Sequence, residues 1–135
     1  ASRHQLRQFL GDEQALTKEN ISDMDKNFLS KFKTLVERKM KDTELNVEDM
    51  GRDMGMSRVQ LYRKLKSLTN YSPNELLRQM RLKKAASLLA SSELTIAETA
   101  YEVGFSSPSY FTKCYREHFG ESPTDFLKRK EGNHD

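Results

Sequence analysis

Apolar residues along this chain recur at the three- and four-residue spacing of α-helices, and no segment alternates apolar and polar residues as a half-buried strand would. The first periodic segment starts at Ser22 or Asp23 and runs to about Lys41, with apolar positions at Phe28, Phe32, Leu35, Val36 and Met40. The longest runs from Pro73 to about Ala90 and offers to the core Leu76, Leu77, Met80, Ala85, Leu88 and Leu89. The pattern predicts an all-α fold of about seven helices, most of them short.

The predicted helices begin at residues whose side chains cap helix N-termini. Ser57 with Gln60, and Thr95 with Glu98, have the spacing of a capping box, in which two side chains satisfy backbone N–H groups reciprocally. Asn46 opens a short helix in a similar way. A capping serine followed by proline at the first helical position marks three further starts, at Ser72-Pro73, Ser107-Pro108 and Ser122-Pro123.

The chain contains an internal repeat, because residues 45–77 align with residues 94–127 when one extra residue is allowed in the second copy. Each copy has a short helix, a turn with a glycine, a second polar or basic helix, and a Ser-Pro start to the next helix. Gly55 and Gly104 stand where the chain leaves the first helix, and glycine adopts the positive φ needed there without a steric cost. The order of elements predicts two tandem helix-turn-helix units.

The predicted organisation is an arm or linker at residues 1–21, one domain at 22–130, and a tail at 131–135. Within the domain we expect the first helix-turn-helix, a long linker helix and the second helix-turn-helix at about residues 45–68, 73–91 and 95–118. Because the sequence does not begin with methionine, we expect it to be part of a longer polypeptide.

Charge is segregated along the chain, although the formal net charge is only +3. Residues 54–92 contain eight basic residues and one acid, whereas residues 93–111 contain three acids and no lysine or arginine. A concentrated basic segment is a candidate electrostatic footprint for nucleic acid, and a solvated helix face is the alternative that charge alone leaves open. No apolar run has membrane-spanning length, and the single cysteine, Cys114, excludes an intramolecular disulfide, which fits a cytoplasmic protein.

The second helix of each copy has to bury one face and expose the other. In the first copy Leu61, Leu65 and Leu68 can face the core, which leaves outside Arg58, Val59, Tyr62, Arg63 and Lys66. In the second copy Phe111 and Tyr115 can face inward, which leaves outside Ser107, Ser109, Thr112, Lys113 and Arg116. Arginine and lysine donate to guanine or phosphate, serine and threonine reach either, and valine or tyrosine can contact a thymine methyl group. The outer faces therefore predict a double-stranded DNA partner.

These residues resemble the AraC family of transcription regulators over about residues 24–128. The most specific stretch is Ala100-Tyr-Glu-Val-Gly104-Phe-Ser-Ser-Pro-Ser-Tyr-Phe111, followed by Phe119-Gly120-Glu-Ser-Pro123. In the first copy, Arg58-Val-Gln-Leu-Tyr-Arg-Lys-Leu65 matches equally well. With its Asp25-Lys-Asn-Phe-Leu29 segment, the chain is similar to the C-terminal output domains of hybrid two-component regulators, in which sensor, kinase, receiver and DNA-binding modules share one polypeptide.

The resemblance implies sequence-specific binding of double-stranded DNA, with the two recognition helices in successive major grooves roughly 34 Å apart. It implies that bases are read by Val59, Tyr62 and Arg63 in the first copy, and by Ser109, Thr112 and Lys113 in the second. It implies phosphate contacts by Arg58, Lys66, Ser107 and Arg116. The family often has arginine at the position of Lys113, and lysine lacks the bidentate fork of arginine, so weaker reading of guanine is expected there.

The resemblance also implies partners other than DNA, some within the same polypeptide and some separate from it. They are the upstream receiver and kinase modules of the full-length chain, RNA polymerase, and a second copy of the domain in a homodimer on DNA. Membrane contact is not expected of this fragment.

Catalytic chemistry is not indicated by the sequence. His4, His118 and His134 are far apart, and no Cys-His cluster, glycine-rich phosphate loop or nucleophile elbow is present. We expect this chain not to be an enzyme and to need neither a metal nor a cofactor, while any histidine kinase activity would belong to the full-length protein. Cys114 is expected to be a small buried apolar residue.

Two other binding functions compete with DNA recognition. A helical bundle could bind an acidic protein through its basic segment, but such a bundle has no need for two matched helix-turn-helix units. RNA binding would favour an aromatic platform on a sheet, and no sheet is expected.

Overall fold

The computed structural model describes residues 21–132, which form seven α-helices and contain no strand. The helices are α1 (Asp23–Lys39), α2 (Val47–Asp53), α3 (Arg58–Thr69), α4 (Pro73–Ser91), α5 (Ile96–Glu102), α6 (Pro108–Phe119) and α7 (Pro123–Gly132). The predicted all-α class is confirmed. The arm expected at residues 1–21 lies outside the described residues except for Ile21, and so do the last three residues of the expected tail. The first two residues of that tail complete α7.

The residues predicted to cap the helices do so in the structure. Ser57 Oγ accepts a hydrogen bond from the backbone N–H of Gln60 at 3.1 Å, and Gln60 Oε1 accepts one from the N–H of Ser57 at 2.9 Å. The same reciprocal pair of bonds joins Thr95 to Glu98 and Ser72 to Glu75. Single cap bonds are accepted by Ser22, Asn46, Ser107 and Ser122. Since a cap stabilises a helix by about 1 kcal/mol, these serines, threonines and asparagine define the helix starts.

The chain forms two compact units. Among the described residues, the first comprises 21–39 and 44–78, and the second comprises Met40–Thr43 and 79–132. Each unit contains one copy of the repeat. Residues 73–78 of α4 belong to the first unit, and the rest of that helix belongs to the second.

The core of the first unit is built on α1, whose predicted apolar face is buried. The buried side chains of this helix are Phe28, Leu29, Phe32, Leu35 and Val36. The other helices of the unit bury Met50, Leu61, Leu65, Leu76 and Leu77. Leu68, which was predicted to face the core, is only half-buried. Burial of one such leucine stabilises the fold by about 2 kcal/mol, so α1 is an integral part of this unit.

The core of the second unit is a single cluster in which aromatic rings are prominent. Its buried members are Leu82, Ala85, Leu89, Ala100, Val103, Phe105, Phe111, Cys114 and Tyr115. The ring of Phe111 lies 5.2 Å from that of Phe105 and 5.7 Å from that of Tyr115, in the tilted and edge-on arrangements that aromatic quadrupoles favour. Cys114 is 6% exposed, which confirms the prediction that it is a small buried residue.

Candidate nucleic-acid interface

The turn of the first helix-turn-helix is held by one tight backbone hydrogen bond. After α2, the chain turns at Gly55, whose φ is +71°, and the N–H of Met56 then donates to the carbonyl of Gly51 at 2.8 Å. A Cβ on Gly51 would lie 2.8 Å from the carbonyl oxygen of Met56, so this close approach requires glycine. Ser57 then caps α3, the first recognition helix.

The turn of the second helix-turn-helix is closed by the equivalent backbone hydrogen bond, although Ala100 stands where the first copy has Gly51. Gly104 has a φ of +101°, and the N–H of Phe105 donates to the carbonyl of Ala100 at 3.0 Å, as Met56 does to Gly51 in the first copy. One additional residue, Ser106, precedes the cap at Ser107, and Pro108 occupies the first position of α6. The repeat predicted from the sequence is thus confirmed down to the hydrogen bond that closes each turn.

The two recognition helices are equivalent in length and in how they end. Each has twelve residues, and each terminates at a residue in the left-handed conformation, Asn70 after α3 and Gly120 after α6. A shift of fifty positions therefore superimposes α3 on α6 residue by residue. It pairs the expected reading residues Val59 with Ser109, Tyr62 with Thr112 and Arg63 with Lys113.

All five site residues predicted in the first copy are exposed on α3. Two of them present apolar surface to solvent, since Val59 is 50% and Tyr62 is 46% exposed. Three cations share the helix surface with them, namely Arg58, Arg63 and Lys66. The outer face therefore combines donors for phosphate or guanine with side chains able to contact a thymine methyl group.

The second copy exposes fewer of its predicted site residues. Ser109, Lys113 and Arg116 are exposed, but Ser107 and Thr112 are only half-buried rather than fully outside as expected. Ser107 also caps α6, since its Oγ accepts from the N–H of Tyr110 at 3.2 Å. The hydroxyl still carries its own hydrogen as a donor, which is the atom that a phosphate contact requires.

Two members of the basic segment are turned into the protein. Lys64 lies between the predicted site residues of α3, yet its Nζ is 3.5 Å from the Asp25 carboxylate and 4.8 Å from the centre of the Phe28 ring. The guanidinium group of Arg81 donates to two backbone carbonyls of the second unit. The electrostatic footprint expected from the sequence is therefore smaller than the eight basic residues suggest.

Tyr110 is a further exposed residue of α6, outside the site predicted from the sequence. It stands at the third position of α6 and is 46% exposed. The equivalent residue of α3 is Gln60, whose side chain is used by the capping box. Comparing the two copies position by position would have found this difference, because a tyrosine cannot close the box that glutamine closes.

Capping carboxylates account for two of the shifted pKa values. The hydrogen bond from the Thr95 backbone N–H lowers the pKa of Glu98, and that from the Ser72 N–H lowers the pKa of Glu75, with smaller contributions from Lys66 and Arg78. These carboxylates hold helix N-termini, so their perturbation has a structural cause.

Within residues 21–132, no group of His, Cys, Asp and Glu residues is placed to hold a metal ion. No helix in that range is long and apolar enough to cross a membrane.

The sequence of this chain is similar to those of known proteins. A sequence profile described as a helix-turn-helix domain matches residues 50–129. The chain is 38% identical over 109 residues to histidine kinase P4 of Formosa agariphila, a match that covers 81% of this chain and 8% of the kinase. The chain therefore spans less than a tenth of that relative's length.

Two solved structures have the same fold. The C-terminal domain of AraT, a response regulator from Geobacillus stearothermophilus, matches with a TM-score of 0.71 and 27% identity, covering 82% of this chain and 88% of that one. The DNA-binding domain of AdpA, a global transcriptional factor solved in complex with a target DNA, matches with a TM-score of 0.71 and 26% identity, covering 84% of this chain and 97% of that one.

Proposed function

The chain belongs to the AraC-type helix-turn-helix family of DNA-binding transcription regulators, and we propose that it is the output domain of a two-component signalling protein. In this proposal α3 and α6 each enter a major groove of one operator, in two successive turns of the duplex. The two DNA elements would then be centred about one helical turn apart, roughly 34 Å.

The observation that carries the proposal is the equivalence of the two helix-turn-helix copies. Each presents a twelve-residue helix behind a glycine turn, and the exposed faces carry cations and short polar or apolar side chains. A structural bundle has no need to repeat both the turn and an exposed cationic face. Two reading helices on one chain suit a bipartite operator.

We propose base contacts by Val59, Tyr62 and Arg63 on α3, and by Ser109, Thr112 and Lys113 on α6. The proposed phosphate contacts are Arg58, Lys66, Ser107 and Arg116. Arg63 is the principal candidate for reading a guanine, because its guanidinium can donate two parallel hydrogen bonds to one base edge. Lys113 occupies the equivalent position of α6 and offers a single point donor, so the second element should be read less strictly at that base.

The likeness to a histidine kinase and to a response regulator supports a place in two-component signalling. We propose that phosphorylation of an upstream receiver in the full-length protein brings two copies of the domain together on adjacent DNA sites in the cytoplasm. Contact with RNA polymerase would follow at the promoter. The proposal assigns no reaction and no cofactor to this chain, and any kinase activity would lie elsewhere in the longer protein.

Selection of bound sequences from a random duplex library tests the proposal, with binding repeated at several salt concentrations. We expect enrichment of two short elements about one turn apart, and an affinity that falls as salt rises, because phosphate contacts release counterions. Absence of any enriched sequence, with affinity that simply collapses in salt, would instead favour a protein partner for the basic surface.

A matched pair of variants tests the assignment of the reading face. Arg63→Ala should lower discrimination at one base position by about 1–3 kcal/mol, whereas Lys66→Ala should weaken binding to all sequences alike and reduce the salt slope by about 1. Both residues are exposed on α3, so neither substitution should affect folding. Unchanged base preference in the Arg63→Ala variant would show that the reading face is wrongly assigned.

A further inference from the structure

A short backbone segment lies against the turn of the second helix-turn-helix. This segment, Met40–Thr43, belongs to the second unit although it precedes α2 in the chain; we call it the strap. A Cβ placed on Gly104 would lie 1.8 Å from the carbonyl oxygen of Met40, so strap and turn are in direct backbone contact. Lys41 adds an ion pair with Glu102 at 3.2 Å, at the end of α5.

One side chain holds the strap in place. From α4, Arg81 Nε donates to the carbonyl of Met40 at 3.0 Å, and its Nη2 donates to the carbonyl of Asp42 at 2.8 Å. The same Nε would be 2.7 Å from a Cβ on Gly104, so the guanidinium group also borders the turn. Bidentate donation from a planar fork constrains both the position and the orientation of the strap.

Arg81 is half-buried, unlike the exposed Arg63 of α3, which is free to contact DNA. Burial lowers the pKa of its guanidinium group, and the neighbouring Asp42 and Tyr110 oppose that effect. The side chain thus joins α4 to the strap and lies beside the turn at Gly104.

The first copy of the repeat lacks this arrangement. A Cβ on Gly55, the equivalent of Gly104, would have no atom of the described chain within 4 Å. The first turn is therefore open to solvent, whereas the second is closed by the strap. The two turns share their backbone hydrogen bond, but only the second is contacted by the strap and by Arg81.

We infer that Arg81 is a positioning residue for the second recognition helix, which it places by pinning the strap against the turn at Gly104. The inference rests on the proposed reading of DNA by both helices. It predicts that loss of the guanidinium fork disturbs reading of the second DNA element and leaves reading of the first intact. Arg81 itself need not touch DNA for this effect.

The test compares Arg81→Met, Arg81→Lys and Lys84→Met in the sequence selection described above. Arg81→Met keeps an apolar stem and removes both donors, so we expect base preference in the second element to fall about ten-fold, with the first element changed less than about two-fold. Arg81→Lys keeps the charge but lacks the fork, and should recover only part of the preference. Lys84→Met removes an exposed charge from the same helix and should leave base preference in both elements unchanged, with any loss of affinity shared equally by the two.

Amide hydrogen exchange in the free protein gives a readout that does not depend on DNA. The N–H of Phe105 closes the second turn, and that of Met56 closes the first, so each protein carries its own control. In Arg81→Met we expect exchange at Phe105 to accelerate about ten-fold or more, with Met56 unchanged. A variant that unfolded as a whole would instead lose protection at both amides, in which case Arg81→Lys supplies the comparison.

Three outcomes would overturn the inference. They are equal loss of both DNA elements in a folded Arg81→Met protein, full recovery by Arg81→Lys, and unchanged exchange at Phe105 in the Arg81 variants. If the wild-type chain enriches no bipartite sequence but Phe105 exchange still responds to Arg81, the proposed function fails and the positioning role stands.

Discussion

Alanine substitution at the two turn glycines is a matched experiment that the repeat itself provides. Gly55 and Gly104 occupy equivalent positions and both have a positive φ, +71° and +101°. Their surroundings differ. A Cβ added to Gly55 would meet no atom of the described chain within 4 Å, whereas a Cβ added to Gly104 would overlap the carbonyl oxygen of Met40. Gly55→Ala therefore measures backbone strain alone, and Gly104→Ala measures strain plus steric overlap.

The expected magnitudes follow from these contacts. A left-handed alanine costs about 1–2 kcal/mol, and the lower entropy of the unfolded alanine chain offsets part of it, so Gly55→Ala should destabilise by about 1 kcal/mol. In Gly104→Ala the methyl carbon starts 1.8 Å from an oxygen, which must retreat by more than about 1.5 Å. Overpacking of this kind costs about 1–3 kcal/mol, which brings the expected total to about 2–4 kcal/mol.

Urea unfolding followed by far-ultraviolet circular dichroism measures both variants against the wild type. With an m-value of about 1.5 kcal/mol/M, the Gly104→Ala midpoint should lie about 1–2 M below that of Gly55→Ala. Equal destabilisation by the two substitutions would refute the reasoning, since it would mean that the strap does not occupy the second turn in solution.

Two further predictions concern single side chains. Since the hydrogen bond from the Ser72 N–H lowers the pKa of Glu75, its ionised form stabilises the fold above the ordinary glutamate pKa, and this stabilisation is lost as pH falls through the lowered value. The stability advantage of wild type over Glu75→Gln should thus vanish in acid-titrated urea melts, and an advantage that grows with acidity would contradict it. Cys114 is 6% exposed, so a chromogenic thiol reagent should react with it far more slowly in the folded than in the urea-unfolded chain; equal rates would place the thiol at the surface.

Most of the local structure was predictable because its causes act over three or four residues. A capping bond joins Ser57 to Gln60, or Thr95 to Glu98, within one turn of helix, so the residue types and their spacing are sufficient. The apolar face of α1 follows in the same way from its periodicity. The repeat was visible for a related reason, since both copies need glycine at the same turn.

The candidate interface was predictable only in part. Exposure of Val59, Tyr62 and Arg63 follows from helical spacing once Leu61 and Leu65 are placed inside. Spacing alone, however, does not show which cations reach solvent. Lys64 falls at the position equivalent to the buried Cys114, and this correspondence could have indicated that Lys64 faces the protein.

The sequence by itself determined the helices, their starts, the tandem repeat and the polar character of both recognition helices, because each depends on neighbours along the chain. Only the tertiary structure decided that Arg81 and Lys64 serve the fold rather than the charged surface, and that the second turn is closed while the first is open. Those features depend on residues far apart in sequence, such as Met40 and Gly104. Such contacts exist only after the hydrophobic cores have brought the segments together, and no local pattern encodes them.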